Sequence, residues 1–122
     1  MFDLTAFKGV RLRGGFRIIS VEFADEPMVD AARREAIART AIVGPQIEIT
    51  IRSGLDEREL SVTLYHEILE AATIGSNDPP ESVLELGEAD FERIAYAMHE
   101  DLGSASPENL NRMLQQFGFR ES

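Results

Sequence analysis

His66 and His99 are the only imidazoles in a chain of 122 residues that has no cysteine. Both fall among carboxylates. His66 and Glu70 are four apart in a stretch of helical periodicity, so their side chains leave the same face one turn apart and can touch one cation. Glu67 projects about 100° away from His66 and can reach a water held by such a cation. A third ligand has to come from another element, and Glu88 or Glu92 in the next helical stretch can supply it. One imidazole with two carboxylates is a hard donor set that suits zinc, manganese or iron. The plainer reading is a solvated acidic helix face, because a His-x-x-x-Glu pair arises often by chance in an acidic protein. His99 also has a plain reading, as a cation near the C-terminal end of a helix dipole.

The elements that must position these groups can be read from local pattern. Gln46 to Arg52 alternates, with Ile47, Ile49 and Ile51 on one face and Glu48, Thr50 and Arg52 on the other, which predicts a strand. After Ser53-Gly54, residues 56–74 carry the longest helical signal. Asp56 caps it, Glu57 and Glu59 suit its first turn, and Gly75 suits its exit. Leu60, Leu64, Tyr65, Ile68, Leu69 and Ala72 form its apolar side. Residues 87–102 predict a second helix, with Phe91, Ile94, Ala95, Met98 and Leu102 apolar. Ser106-Pro107 opens a third, whose apolar face is Leu110, Met113, Leu114 and Phe117, with Gly118 at its end.

The N-terminal third is less regular. Phe7 to Arg13 and Phe16 to Phe23 flank Gly14-Gly15, which suggests a β-hairpin. Phe16, Ile18 and Ser20 would share one face and Ile19 and Val21 the other, although the Ile18-Ile19 doublet blurs the alternation. Residues 27–41 are rich in Ala and Arg, with Val29, Ala32, Ala36 and Ile37 near helical spacing, and predict a short helix before Gly44-Pro45 breaks the chain. These elements make a single domain spanning 1–122.

Composition narrows the functions. With 43% apolar and 28% charged residues the chain is of globular type, not disordered. The formal net charge of −10 is uneven: residues 56–108 hold 14 acids and 2 arginines, whereas the first 55 hold 7 acids against 8 bases. Such a surface repels phosphate backbones, so no nucleic acid is expected as a partner. No apolar run approaches the roughly 18 to 20 residues that cross a bilayer. Met1-Phe2-Asp3-Leu4 lacks the basic start and apolar stretch of a secretion signal. The absence of cysteine rules out a disulfide framework and a thiolate metal site. The expectation is a cytoplasmic protein without a membrane segment.

Three stretches together carry a resemblance. Ile47-Glu48-Ile49-Thr50-Ile51, then Thr63-Leu64-Tyr65-His66-Glu67-Ile68-Leu69-Glu70-Ala71, then Glu88-Ala89-Asp90-Phe91-Glu92-Arg93-Ile94-Ala95 resemble the small zincin-like metallopeptidases of phages and bacteria, the minimal gluzincins of the IrrE-like class. Their pattern is a strand, a helix carrying Thr-Leu-x-His-Glu-x-x-His-Ala, and a later helix with an acidic ligand. The likeness covers roughly residues 44–102. It implies a small α+β domain, with an N-terminal twisted, antiparallel or mixed β-sheet packed against an active-site-type helix and two further helices. It also implies His66 as a zinc ligand, Glu67 as the water-activating base, and Glu88, with Glu92 as the alternative, as the third ligand.

The departure is Glu70, which stands where the family has its second histidine and gives His-Glu-x-x-Glu. A carboxylate can replace that imidazole on zinc, but two carboxylates and one imidazole neutralise a Zn²⁺ ion and leave it less able to acidify water. Two expectations follow. One is a metal-dependent peptide hydrolase of reduced power, holding Zn²⁺ (or Mn²⁺ or Fe²⁺) on His66, Glu70 and Glu88, with Ile47 to Ile51 as an edge strand aligning an extended peptide. The other is a catalytically inactive domain of this fold that works as a protein-interaction or regulatory module. An unrelated adaptor would instead expose an apolar patch, for which Met113, Phe117 and Phe119 are the candidates.

Overall fold

The computed structural model describes residues 4–25, 28–29 and 35–120. It is an α+β arrangement built on a three-stranded mixed sheet and three helices. The strands are β1 (Arg17–Ala24), β2 (Met28–Val29), β3 (Glu35–Ala36), β4 (Ala38–Val43) and β5 (Gln46–Arg52). The helices are α1 (Glu57–Gly75), α2 (Glu88–Leu102) and α3 (Pro107–Gln116). Strand order in the main sheet is β1-β5-β4, and β2 and β3 form a separate short ladder. Among the described residues no helix is long and apolar enough to cross a membrane.

The alternating isoleucines of β5 explain its place. Ile47, Ile49 and Ile51 are all buried, and β5 lies between its neighbours, antiparallel to β4 and parallel to β1. The turn from β4 into β5 is Gly44-Pro45. Gly44 has φ 60°, the positive value that a two-residue II′ connection needs at its first position, and proline fixes the next φ near −65°. Position β5 is therefore central, and the expectation that Ile47 to Ile51 forms an edge strand is corrected. A strand with one fully apolar face and partners on both sides has no edge to offer; the outer strands are β1 and β4.

In β1 the blurred Ile18-Ile19 doublet is a bulge. Ile18 pairs with Ile47, but the next pair is Ser20 with Glu48, so Ile19 is the extra residue. The slip puts Val21 beside Ile49 and Phe23 beside Ile51, on the face that Ile18 occupies, whereas uninterrupted alternation would put Val21 opposite. The hairpin around Gly14-Gly15 forms in part. Leu12 N–H donates to Phe16 O at 2.8 Å and Ile18 N–H to Val10 O at 2.9 Å, yet the first arm holds only an isolated bridge between Arg11 and Arg17 and a 3-10 turn at Leu4–Phe7. Strand β1 takes its ladder from β5 instead.

The helix expected over 27–41 is also corrected. Residues 28–29 and 35–36 pair as strands, and Ala38 onward belongs to β4; positions 27 and 30–34 lie outside the described residues. From Ala38 to Val43 the residues alternate between half-buried and exposed with period two. Pairing with β5 outweighs the weak helical preference of the alanines, as tertiary context commonly does.

Helix α1 follows its local signals. The Asp56 carboxylate accepts from Glu59 N–H at 2.8 Å, and Leu60, Leu64, Tyr65, Ile68, Leu69 and Ala72 are all buried. Gly75 is the last residue of the helix, and space is what calls for a glycine there. A Cβ there would meet the Phe16 ring at 2.9 Å, so glycine lets the helix end approach Phe16, just before β1, and Ile42 of β4. Helix α2 runs back along α1, held at its far end by Tyr65 Oη–H donating to Gly103 O at 2.8 Å and by Arg58 pairing with Glu100 at 3.0 Å. Burial pushes the Tyr65 phenol up to about 12, which keeps it a donor.

Helix α3 closes the core. Ser106 Oγ accepts from Asn109 N–H at 3.1 Å, and at the other end Gly118 N–H donates to Gln115 O and Phe119 N–H to Leu114 O, the paired bonds of a Schellman exit. Asn111 ties the helix to the N-terminal segment, accepting from Arg13 N–H at 2.9 Å and donating to Arg11 O at 3.1 Å. Met113 is 0% and Phe119 3% exposed, with Phe117 partly buried against the core, so these residues are not an exposed apolar patch.

Ser61, the buried polar residue of this core, joins three elements. Its Oγ accepts from Ala105 N–H at 2.8 Å and shares a hydrogen bond with His99 Nδ1 at 2.8 Å. Ser61→Ala leaves a buried amide without a partner, and should cost about 1–3 kcal/mol of stability by urea unfolding at neutral pH. An unchanged midpoint would show that the junction carries no such weight.

Candidate metal centre

One face of α1 is committed to the core, and the opposite face carries His66, Glu67 and Glu70 over a single turn. His66 Nε2 lies 3.1 Å from Glu70 Oε2, the contact that an i,i+4 spacing allows. Glu88, the first residue of α2, comes to the same nitrogen at 2.9 Å. The antiparallel course of α2 brings it there, and Phe91, one turn on, stacks on the imidazole with ring planes 22° apart and centroids 6.3 Å apart. Side-chain exposure rises from 16% at His66 through 27% at Glu70 to 73% at Glu88, so the group is anchored inside and open outside.

One donor atom from each of His66, Glu70 and Glu88 lies within 4.8 Å of the others, so the three could hold a metal ion. The chemistry of the set fits. Nε2 carries at most one proton, yet two carboxylates converge on it, which leaves negative charge uncompensated. Glu70 feels this directly: burial, then the charges of Glu88 and Glu67, hold its carboxyl above the usual carboxylate range, while His66 pulls the other way. A divalent cation between the three atoms would replace the proton and neutralise both carboxylates. The identity of such a metal is not fixed by this set, since one nitrogen and two oxygens serve zinc, manganese and iron alike.

The other expected site residues sit nearby. Glu67 points toward the sheet, and Thr40 Oγ–H donates to its Oε2 at 2.6 Å. Glu92 lines the same cleft one turn along α2 from Glu88, outside the converging group of three. His99 is far from them along α2 and bonds Ser61, a helix-to-helix tie. Thr40 is the participant that sequence pattern does not reveal, because residues 27–41 carry the composition of a helix.

The cleft holding this group has a volume of about 910 Å³ and runs between β4 and the α1–α2 pair. Its sheet wall is the edge strand. Arg52 N–H donates to Ile37 O at 2.8 Å, which fixes the antiparallel bonding pattern. Residues 39, 41 and 43 therefore bond to β5, while Ala38, Thr40 and Ile42 turn their backbone N–H and C=O groups to the open side. Among the described residues no strand pairs with that side.

Because the Glu70 carboxylate is disfavoured by its surroundings, Glu70→Gln should raise the melting temperature of metal-free protein at neutral pH. The same change should abolish any rise in melting temperature that zinc gives the wild type. A fall in the metal-free melting temperature would contradict the electrostatic account of the group.

No family model, curated protein or solved structure matches this chain.

Proposed function

We propose that the chain is a zincin-like, metal-dependent peptide hydrolase of reduced power, with Zn²⁺ held by His66, Glu70 and Glu88 and Glu67 as the general base. The observation that carries the reading is the convergence of two carboxylates on His66 Nε2, at 3.1 Å and 2.9 Å, beside a third carboxylate one residue along the helix. When bound, the metal would polarise a carbonyl and lower the pKa of water.

The chain's own residues supply the remainder. Phe91 fixes the plane of the imidazole by stacking on it. Thr40 holds one oxygen of Glu67, which orients the carboxylate toward the cleft between β4 and α1. An extended peptide would lie along β4, where Ala38, Thr40 and Ile42 offer backbone groups that no strand among the described residues pairs, and its scissile amide would pass over the α1 turn that holds His66 and Glu70. The partner is thus a peptide or protein segment, and a chain without cysteine suits a cytoplasmic setting.

A second reading is a silent domain of the same kind that acts through protein contact. The short Thr40–Glu67 bond favours it, since a base whose oxygen is already engaged at 2.6 Å is less free to take a proton. One substitution separates the two. In a screen of zinc-loaded protein against mixed peptides, Glu67→Gln should lower turnover by about 10²–10⁴-fold while zinc binding and melting temperature hold, because a base is removed and not a ligand. Activity that survives the change contradicts Glu67 as base, and no turnover in the wild type supports the silent domain.

A further inference from the structure

The cleft is polarised along its length. Two contacts set the direction of β4 relative to α1: Thr40 bonds Glu67, and Ile42 comes within 3.4 Å of where a Cβ on Gly75 would sit. The strand therefore runs alongside α1 in the same sense, with Ala38 toward the start of the helix and Ile42 toward its end. At the end marked by Ile42 the walls are apolar, formed by Ile42, Ala71 and Ile74, and Ile74 is 69% exposed. At the other end Glu59 of α1 and Glu92 of α2 stand among Ile37, Arg39, Val62 and Tyr96, so the two ends differ in charge and not in apolar content. Among the described residues neither carboxylate has an ion-pair partner, whereas nearby Arg58 is taken up by Glu100 and the Tyr96 ring.

In charge the cleft is one-sided. Five glutamates line it, at 59, 67, 70, 88 and 92, against the single Arg39. A divalent cation on His66, Glu70 and Glu88 would cancel two of those charges and leave Glu59, Glu67 and Glu92. From Glu59 to Ile74 the helix advances about 22 Å at its usual rise, which is the reach of about seven extended residues.

We infer, building on the peptide reading above, that the segment this cleft takes is extended and cationic, with lysine or arginine over Glu59 and Glu92 and an apolar side chain against Ile42, Ala71 and Ile74. The open edge of β4 supplies sequence-independent backbone bonds, and the two ends of the cleft supply the selection. Glu59 and Glu92 are specificity-determining residues in this arrangement, because they face the peptide's side chains and lie outside the converging group of three.

The probe is a fluorescein-labelled seven-residue peptide with leucine at one end and lysine and arginine at the other. Its control carries glutamate in place of the basic residues. Fluorescence anisotropy at low ionic strength, in a Glu67→Gln background that blocks turnover, should show the basic peptide bound about tenfold more tightly than its control. Adding Glu59→Lys and Glu92→Gln should remove or invert that preference. Equal binding of both peptides, binding of neither, or a preference that survives the added changes would overturn the inference. Zinc titration of the same samples keeps the two readings apart. Zinc bound without peptide preference defeats this inference alone, and preference without zinc defeats the metal reading alone.

Discussion

Helix α1 has to satisfy two environments at once. Its inner side buries Leu60, Leu64, Tyr65, Ile68, Leu69 and Ala72 against the sheet and the other helices, and its outer side must then present His66, Glu67 and Glu70 over the next turn of backbone. Burial of the inner side fixes the rotation of the helix about its own axis, and that rotation decides where the outer groups point. Glu67 faces β4 and Thr40 because of it, and His66 faces α2, where Glu88 and Phe91 meet it. The site is rigid to the extent that the core below it is packed.

Electrostatics gives the site its character. Three glutamates crowd one imidazole, and burial, then the charges of Glu88 and Glu67, raise the carboxyl of Glu70. A neutral imidazole in place of Glu70 would relieve that repulsion and leave more positive charge on a bound metal. Two carboxylates would balance a divalent ion held there, which favours retention of the ion over activation of water. On the reading proposed above, binding and turnover would therefore be separable properties.

Local signals in the sequence were enough for much of the fold. The alternation of Ile47, Ile49 and Ile51, the Asp56 and Ser106 caps and the apolar faces of the three helices each depend on neighbours in sequence, and each reappears in the structure. What sequence pattern missed depends on distant pairing. Strand β4 is hidden because Ala38 to Val43 becomes strand by bonding to β5, and the central place of β5 follows from its parallel match to β1, which lies far from it in sequence. The His66–Glu70 pair was legible from a spacing of four. Spacing alone does not separate Glu88 from Glu92, because the choice rests on how α2 crosses α1, although the resemblance favours Glu88; Thr40 is hidden because the composition of 27–41 is helical.

The convergence on His66 Nε2 is most directly tested by the metal content of untagged protein purified without chelator, beside a His66→Ala variant. The account predicts about one zinc or manganese per wild-type chain and none in the variant. Wild-type protein that stays metal-free even after zinc is supplied would contradict it.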